Sequence, residues 1–200
     1  MPLSLVLRWT LALAAVTTVV NTCSPAAERL PRFEDYPVKS VFAGKPAAPK
    51  LSGEDARIFS TRIREGVRKG WAVDHSGLGQ GKPGPNFAGR YIVIRWGCGS
   101  PCVRMAIVDA ETGAVISPPI TAKGIGTGGF ELPLLTLGNR VSRTAEVRHR
   151  LDSRMMIVRA TPVQSRDHPS FDYYFLREVD SWTFLKRVPL PEDTWLPGDP

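Results

Sequence analysis

NFAGRYIVIRWGCGSPCVRMAIVDAETGAVI, from Asn86 to Ile116, is the stretch that decides the fold. Two apolar runs, Tyr91 to Trp96 and Val103 to Val108, flank the segment GCGSPC, and a turn at residues 109–113 opens a third short run. Apolar runs of this length, rich in β-branched residues and separated by Gly-containing turns, are typical of hairpins. The stretch therefore predicts a three-stranded antiparallel meander. Its first two strands are apolar on both faces, so both faces are expected to be covered.

One helix is predicted before the meander. Four apolar residues recur there at helical spacing: Ala56, Phe59, Ile63 and Val67. This pattern gives one apolar side to a helix from about Gly53 to Lys69. Ser52 is a candidate N-cap, and Gly70 is expected to end the helix. We expect the apolar side to pack on the sheet.

Further strands are predicted after the meander. The candidate segments are Phe130 to Leu137, Ala145 to Arg150, Arg154 to Ala160, Asp172 to Val179 and Thr183 to Val188. The predicted fold is α+β and mainly antiparallel β. It is a meander or sandwich-like sheet of about seven or eight short strands, with one N-terminal amphipathic helix packed on it. The 18 Gly and 18 Pro agree with many turns.

Four segments are predicted along the chain. They are a signal peptide at 1–26, a Pro-rich arm or linker at 27–51, a single helix-plus-sheet domain at 52–190 and an irregular tail at 191–200. The apolar run from Trp9 to Val20 follows the single cation Arg8. About a dozen apolar residues are too few to cross a bilayer but fit a signal peptide. A buried N-terminal helix is the alternative.

Cys23 is a candidate site of lipidation. An aliphatic residue, Val20, stands three positions before it, as in bacterial lipoprotein signals. Cleavage near Ala26 or Ala27 by an ordinary signal peptidase is the alternative. Both routes predict an exported protein, either periplasmic or tethered to the membrane on its periplasmic side.

Cys98 and Cys102 are the remaining cysteines. Export places them in an oxidising compartment, so a structural disulfide that fixes the hairpin turn is predicted. A redox-active pair is the alternative. Redox sites of the thioredoxin type use C-x-x-C at a helix N-terminus, whereas here three residues separate the cysteines between two strands.

The segment SPCVRM, from Ser100 to Met105, is similar to the nucleophile segment of the L,D-transpeptidases, cell-wall enzymes with the pattern Ser-His-Gly-Cys-Val/Ile-Arg. The resemblance implies an enzyme with Cys102 as its nucleophile. Pro101 stands where the His-Gly pair would be, and His75 is the only histidine upstream. A general base that would activate the thiol is therefore not visible. A cell-wall enzyme is kept as the alternative to a non-catalytic domain.

A wider pattern joins NFAG-x-Y, WGCG-x-x-C and a strand that ends in Asp before a Thr-Gly turn. This pattern resembles a family of small exported proteobacterial proteins of uncharacterised function. The resemblance runs from about Ala56 to Ile116, with looser agreement in the last hairpin. It implies the fold and export, and it carries no activity to this chain.

A net charge of +7 favours an anionic ligand or an envelope partner. The predicted binding surface lies beside the Trp71–Gly89 loop, which is either functional or a tolerated insertion. Its residues are His75, Asn86, Arg95, Trp96 and Arg104; a core position is the alternative for Trp96. The densest basic runs, Arg62 to Lys69 and Arg140 to Arg150, lack interleaved aromatic residues and are expected to be solvated faces. Nucleic acid is not an expected partner.

The three histidines, His75, His149 and His168, are far apart and lack the spacing of metal ligands. No G-x-S-x-G motif is present. We therefore predict no catalytic residue, no metal site and no cofactor. Membrane contact is expected only through a lipid on Cys23, and the oligomeric state is left open.

Overall fold

The computed structural model describes residues 29–70, 83–99, 102–137, 140–161 and 170–190. For residues 134–137 and 140–144 only the backbone is described. The described residues from Pro31 onward belong to one compact unit. The predicted signal peptide, Cys23, most of the Trp71–Gly89 loop with His75, and the predicted tail lie outside the described residues. His168 lies outside them as well.

Three helices precede the sheets. They are a short 3₁₀ helix at Phe33–Asp35, α1 at Glu54–Ile58 and α2 at Ser60–Lys69. The expected single helix is thus divided at Phe59, which has φ −96° and ψ 18°. The Phe59 ring packs on Trp96 and Phe130, with ring centroids 5.5 and 6.3 Å apart. The spacing of apolar residues correctly predicted that the Phe59 side chain faces inward. It did not predict that the helix is interrupted at this residue.

The helix ends follow the sequence only in part. Gly70 adopts the left-handed conformation with φ 93°, and its N–H donates to the Gly66 carbonyl, which confirms the predicted stop. The predicted Ser52 cap is wrong, because Gly53 occupies the N-cap position and makes no side-chain cap bond.

Eleven antiparallel strands follow in the described residues. They are β1 Tyr91–Gly97, β2 Val103–Asp109, β3 Val115–Ile116, β4 Ile120–Thr121, β5 Gly124–Ile125, β6 Leu134–Leu137, β7 Arg140–Thr144, β8 Glu146–His149, β9 Met155–Ala160, β10 Phe171–Arg177 and β11 Trp182–Pro189. This confirms the predicted class of mainly antiparallel α+β. The strands outnumber the expected seven or eight because β3, β4 and β5 have two residues each, too few to show a periodic pattern.

The strands form several sheets. The main ones have the orders β1-β2-β3 and β11-β10-β9-β8, and two small hairpins join β4 to β5 and β6 to β7. The predicted meander is confirmed, with Tyr91 opposite Asp109 and Gly97 opposite Val103. It forms a three-stranded sheet of its own, separate from the four-stranded sheet.

The main core lies between the two larger sheets. Alternate residues of β1 and β2, such as Val93 and Ile107, share it with Val158 and Phe175 of the four-stranded sheet. The opposite faces of β1 and β2 pack against the helices. The sheet of the meander is therefore covered on both faces, as its apolar strands predict.

A close approach fixes α2 on β1. A Cβ placed on Gly66 would stand 2.4 Å from Cγ2 of Ile94, which is fully buried. Only glycine leaves room for the strand side chain at this point. The helix layer therefore holds its outer side chains on a rigid base.

The Pro-rich arm lies along the domain. Backbone N–H groups of Val38, Phe42, Ala47 and Lys50 donate to carbonyls of the sheet loops at 2.7 to 3.1 Å. Phe33 packs on the outer face of the four-stranded sheet, whereas Phe42 belongs to the helix-side core. The arm thus links the outer layers through regular backbone hydrogen bonds that its irregular sequence did not predict.

Candidate functional site

The structure separates the residues of the predicted binding surface. Successive side chains of a strand point to opposite faces. Arg95 accordingly lies on the face of the main core, whereas Trp96 and the cross-strand Arg104 lie on the helix side. Asn86 lies before β1, and His75 is outside the described residues. The structure therefore does not join Arg95, Trp96 and Arg104 into one surface.

Trp96 is a core residue. Its side chain is 2% exposed and packs edge-on against Phe130, with ring centroids 6.0 Å apart. Arg104 lies over the Phe59 ring at 4.7 Å and approaches Glu131 at 3.5 Å. Trp96 thus has the core position that the sequence offered as its alternative.

Asn86 has a structural role. Its side-chain oxygen accepts from the Val93 N–H at 2.8 Å, and its amide donates to the Val93 carbonyl at 3.2 Å. Both backbone groups of Val93 point away from β2, so Asn86 satisfies the outer edge of β1 as a neighbouring strand would. The amide group is engaged by the fold itself.

The rest of the NFAG segment is also explained by packing. Phe87 is fully buried in the main core. Ala88 has φ 45°, an uncommon value for a residue with a Cβ atom. Gly89 has φ 75°, and a Cβ there would stand 2.3 Å from the Ser40 carbonyl oxygen. The motif therefore forms a tight corner against the arm, and its residue types follow from backbone conformation and space.

A partly buried ion pair ties this corner to the second turn of the meander. Arg90 pairs with Asp109 and, at 3.0 Å, with the exposed Glu111. The other Asp109 oxygen accepts from the N–H groups of Glu111 and Thr112. Burial raises the pKa of Asp109, but these hydrogen bonds and the Arg90 charge outweigh burial and lower the pKa below its usual range. The network accounts for the Asp and Thr-Gly positions of the sequence pattern.

His149 of β8 is held inside the same region. Its Nδ1 lies 3.1 Å from the Asn86 carbonyl oxygen, and its ring meets the Phe87 ring edge-on. Burial lowers the pKa of His149, the bond to Asn86 opposes that shift, and the charge of Arg95 adds to it. The imidazole is therefore neutral at pH 7. Across the described ranges, His, Cys, Asp and Glu side chains form no cluster that could hold a metal.

Cys98 and Cys102 form a disulfide at the end of the β1–β2 hairpin, as predicted. Their Cα atoms are 5.1 Å apart, and the Cys98 N–H donates to the Cys102 carbonyl at 3.1 Å. The bond closes a separation of only four residues. A short loop loses little entropy on closure, so the bond holds the hairpin end more than it stabilises the domain.

Removing the disulfide is expected to have a modest effect. The double variant Cys98→Ser/Cys102→Ser should lose about 2 kcal/mol of unfolding free energy, because the closed loop is short. Denaturant unfolding with and without reductant measures this. Reductant should destabilise the wild type by a similar amount and leave the variant unchanged. A wild type insensitive to reductant, with both thiols open to alkylation, would contradict the pairing.

The helix layer carries exposed arginines that we call the cationic face, which includes most of the basic run Arg62 to Lys69. It consists of four exposed arginines on α1 and α2: Arg57, Arg62, Arg64 and Arg68. Lys69 pairs with Glu65 at 2.5 Å, and Arg57 bonds the Gly53 carbonyl. Within the described residues, none of the four arginines forms an ion pair. The sequence pattern predicted a solvated face, but it did not show that the acidic residues nearby leave these arginines unpaired.

An exposed apolar residue accompanies the cationic face. Ile58, the last residue of α1, is 62% exposed. Its neighbour Phe59 turns inward onto Trp96, which leaves Ile58 outside. The helix break thus leaves one large apolar side chain exposed, next to Arg57 in the chain.

Comparison with protein-family models, curated proteins and solved structures finds no match to this chain. Among the helices that the structure describes, none is long and apolar enough to span a membrane.

Proposed function

We propose that this chain is an exported, non-catalytic β domain that binds an anionic ligand or surface in the cell envelope. One observation carries the proposal: the arginines of the cationic face are exposed and form no ion pair in the described part of the chain. A guanidinium presents several N–H donors in a planar fork that matches phosphate and carboxylate groups. Four such groups on one helix layer form a binding face for negative charge.

The scaffold supports this role because it holds the face in place. Ile63 of α2 is fully buried, and Gly66 of the same helix packs directly against Ile94 of β1. A helix anchored in this way orders its backbone before a ligand arrives, which reduces the entropy lost on binding. The net charge of +7 also favours approach to anionic surfaces.

Export supports the envelope as the place of action. The apolar run from Trp9 to Val20 fits a signal peptide, and the Cys98–Cys102 disulfide fits an oxidising compartment. The resemblance to small exported proteobacterial proteins points the same way. Separating the periplasmic and cytoplasmic fractions of an expressing bacterium tests this part, and full-length protein in the cytoplasm alone would contradict it.

The alternative is a cell-wall enzyme that resembles the L,D-transpeptidases. A Cys102 nucleophile would need a free thiolate, and its bond to Cys98 counts against that state. The Nδ1 of His149 donates to the Asn86 carbonyl on the core side of the sheet. The reductant experiment above bears on this alternative, since a reduced Cys102 in the exported protein would favour it.

A charge-matched pair of variants tests the binding face. Arg62→Gln/Arg64→Gln/Arg68→Gln removes three charges from α2, and Lys39→Gln/Lys45→Gln/Lys50→Gln removes three exposed charges from the arm. The measurement is the salt concentration at which each variant elutes from immobilised heparin, a polyanion. The arginine variant should elute at clearly lower salt than the lysine variant, because unpaired clustered cations release more counterions on binding. Equal elution of the two variants would contradict the proposal.

A further inference from the structure

The cationic face and Ile58 together form a surface of mixed character. Arg64 and Arg68 stand one helical turn apart on α2, whereas Arg62 lies on the other flank of its exposed side. Ile58 lies just before the break at Phe59, 62% exposed. A single exposed isoleucine is ordinary on a protein surface. Arg57 directly precedes Ile58 in the chain, and Arg62 follows it by four residues; neither arginine forms an ion pair within the described residues.

We infer that this surface docks on an anionic phospholipid bilayer, with the arginines at the headgroups and Ile58 in the interfacial region. The inference rests on the proposed function and names its target. Anionic lipid surfaces attract arginine and lysine side chains additively. An apolar side chain gains by entering the boundary between headgroups and acyl chains. A hydrated polymer supplies the first interaction but not the second, so the pairing of Ile58 with the arginines favours a bilayer.

The fold makes the contact geometrically simple. The inward faces of α1 and α2 bury Ala56, Ile63 and Val67 against the meander, so their outward faces can lie parallel to a flat surface. Two of the acidic residues, Glu54 and Asp55, stand in the first turn of α1, and Glu65 is paired with Lys69. The two helices carry five cations and three acidic residues, so they keep a net charge of +2. This contact would add to any lipid on Cys23 and does not require one.

Vesicle sedimentation tests the inference. All three described core clusters lie between Phe33 and Val188, so residues 27–200 hold the whole described core without the apolar run. This form is mixed with vesicles of phosphatidylcholine alone or of phosphatidylcholine with phosphatidylglycerol. We expect binding to the anionic vesicles that weakens with salt. The Arg62→Gln/Arg64→Gln/Arg68→Gln variant should partition about a hundred-fold more weakly, and Ile58→Ser about five-fold more weakly.

The controls separate this inference from the proposed function. The Lys39→Gln/Lys45→Gln/Lys50→Gln variant has the same net charge as the arginine variant and should keep most of the binding. Circular dichroism checks that each variant is folded. Retention on heparin through the arginines without vesicle binding would overturn the bilayer inference and leave the binding function standing. Vesicle binding that Ile58→Ser does not weaken, or that both triple variants weaken equally, would also overturn it.

Discussion

Phe87→Ala is expected to lower the free energy of unfolding by about 3–5 kcal/mol. Phe87 is fully buried, and its ring stacks on Trp182 of β11 with centroids 5.8 Å apart. It also meets His149 of β8. The residue enters from the meander side and touches both edges of the four-stranded sheet, so truncation leaves a cavity where the two sheets meet.

The same substitution at an exposed phenylalanine separates the effect of burial from the effect of losing a phenyl ring. Phe184 of β11 is 43% exposed, so Phe184→Ala removes the same atoms from a half-hydrated site. We expect Phe184→Ala to lose only about 1 kcal/mol. Urea unfolding followed by circular dichroism measures both values. Similar losses in the two variants would show that Phe87 does not have the central place in the core described above.

Asp109→Asn is expected to destabilise the domain by about 2–3 kcal/mol at neutral pH. The asparagine oxygen can still accept from Glu111 and Thr112, but the new amide meets the Arg90 guanidinium, and two donors cannot bond each other. The Arg90 charge loses its buried partner. Thermal or denaturant unfolding at pH 7 measures the loss.

The same variant should change the dependence of stability on pH. The pKa of Asp109 is lower in the folded domain than its ordinary value of about 3.9. The carboxylate therefore stabilises the fold fully above that ordinary value, and this contribution is lost as pH falls through the lowered pKa. The wild type should lose stability on acidification more steeply than Asp109→Asn.

Glu111→Gln is the control for Asp109→Asn. Glu111 contacts the same guanidinium, but its side chain is 56% exposed, and exposed ion pairs contribute little. We expect a loss of less than about 0.5 kcal/mol and an unchanged acid response. If Glu111→Gln is as costly as Asp109→Asn, the pair to Asp109 is not the interaction that matters.

Patterns within one segment predicted much of the local structure. The runs Tyr91 to Trp96 and Val103 to Val108 correspond to β1 and β2, and GCGSPC with its two cysteines predicted the closed hairpin end. The sequence marks NFAG as a pattern but does not explain why these four residue types are needed. Asn86 and Gly89 are determined by a strand edge and by the Ser40 carbonyl, partners that no local pattern names.

The residues of the predicted binding surface are divided between two faces for a physical reason. Neighbours in a β-strand point to opposite faces, so Arg95 and Trp96 lie on different sides of the sheet. Both faces of β1 are apolar in the sequence. Only the packing of the helices on one face shows that Trp96 lies on the helix side. The sequence predicted the run Arg62 to Lys69 as a solvated face. Which of its cations are paired depends on distances between side chains, and acidic residues stand close by in sequence.

The sequence by itself determined the class of the fold, the meander, the disulfide and the inward side of the helix. Each of these follows from residue periodicity, turn chemistry or cysteine spacing within a few tens of residues. Only the tertiary structure decided that Trp96 is core, that the arm lies on the domain and that Ile58 is exposed. These depend on which side chains compete for the same buried space and the same partners, and that competition is settled between segments distant in the chain.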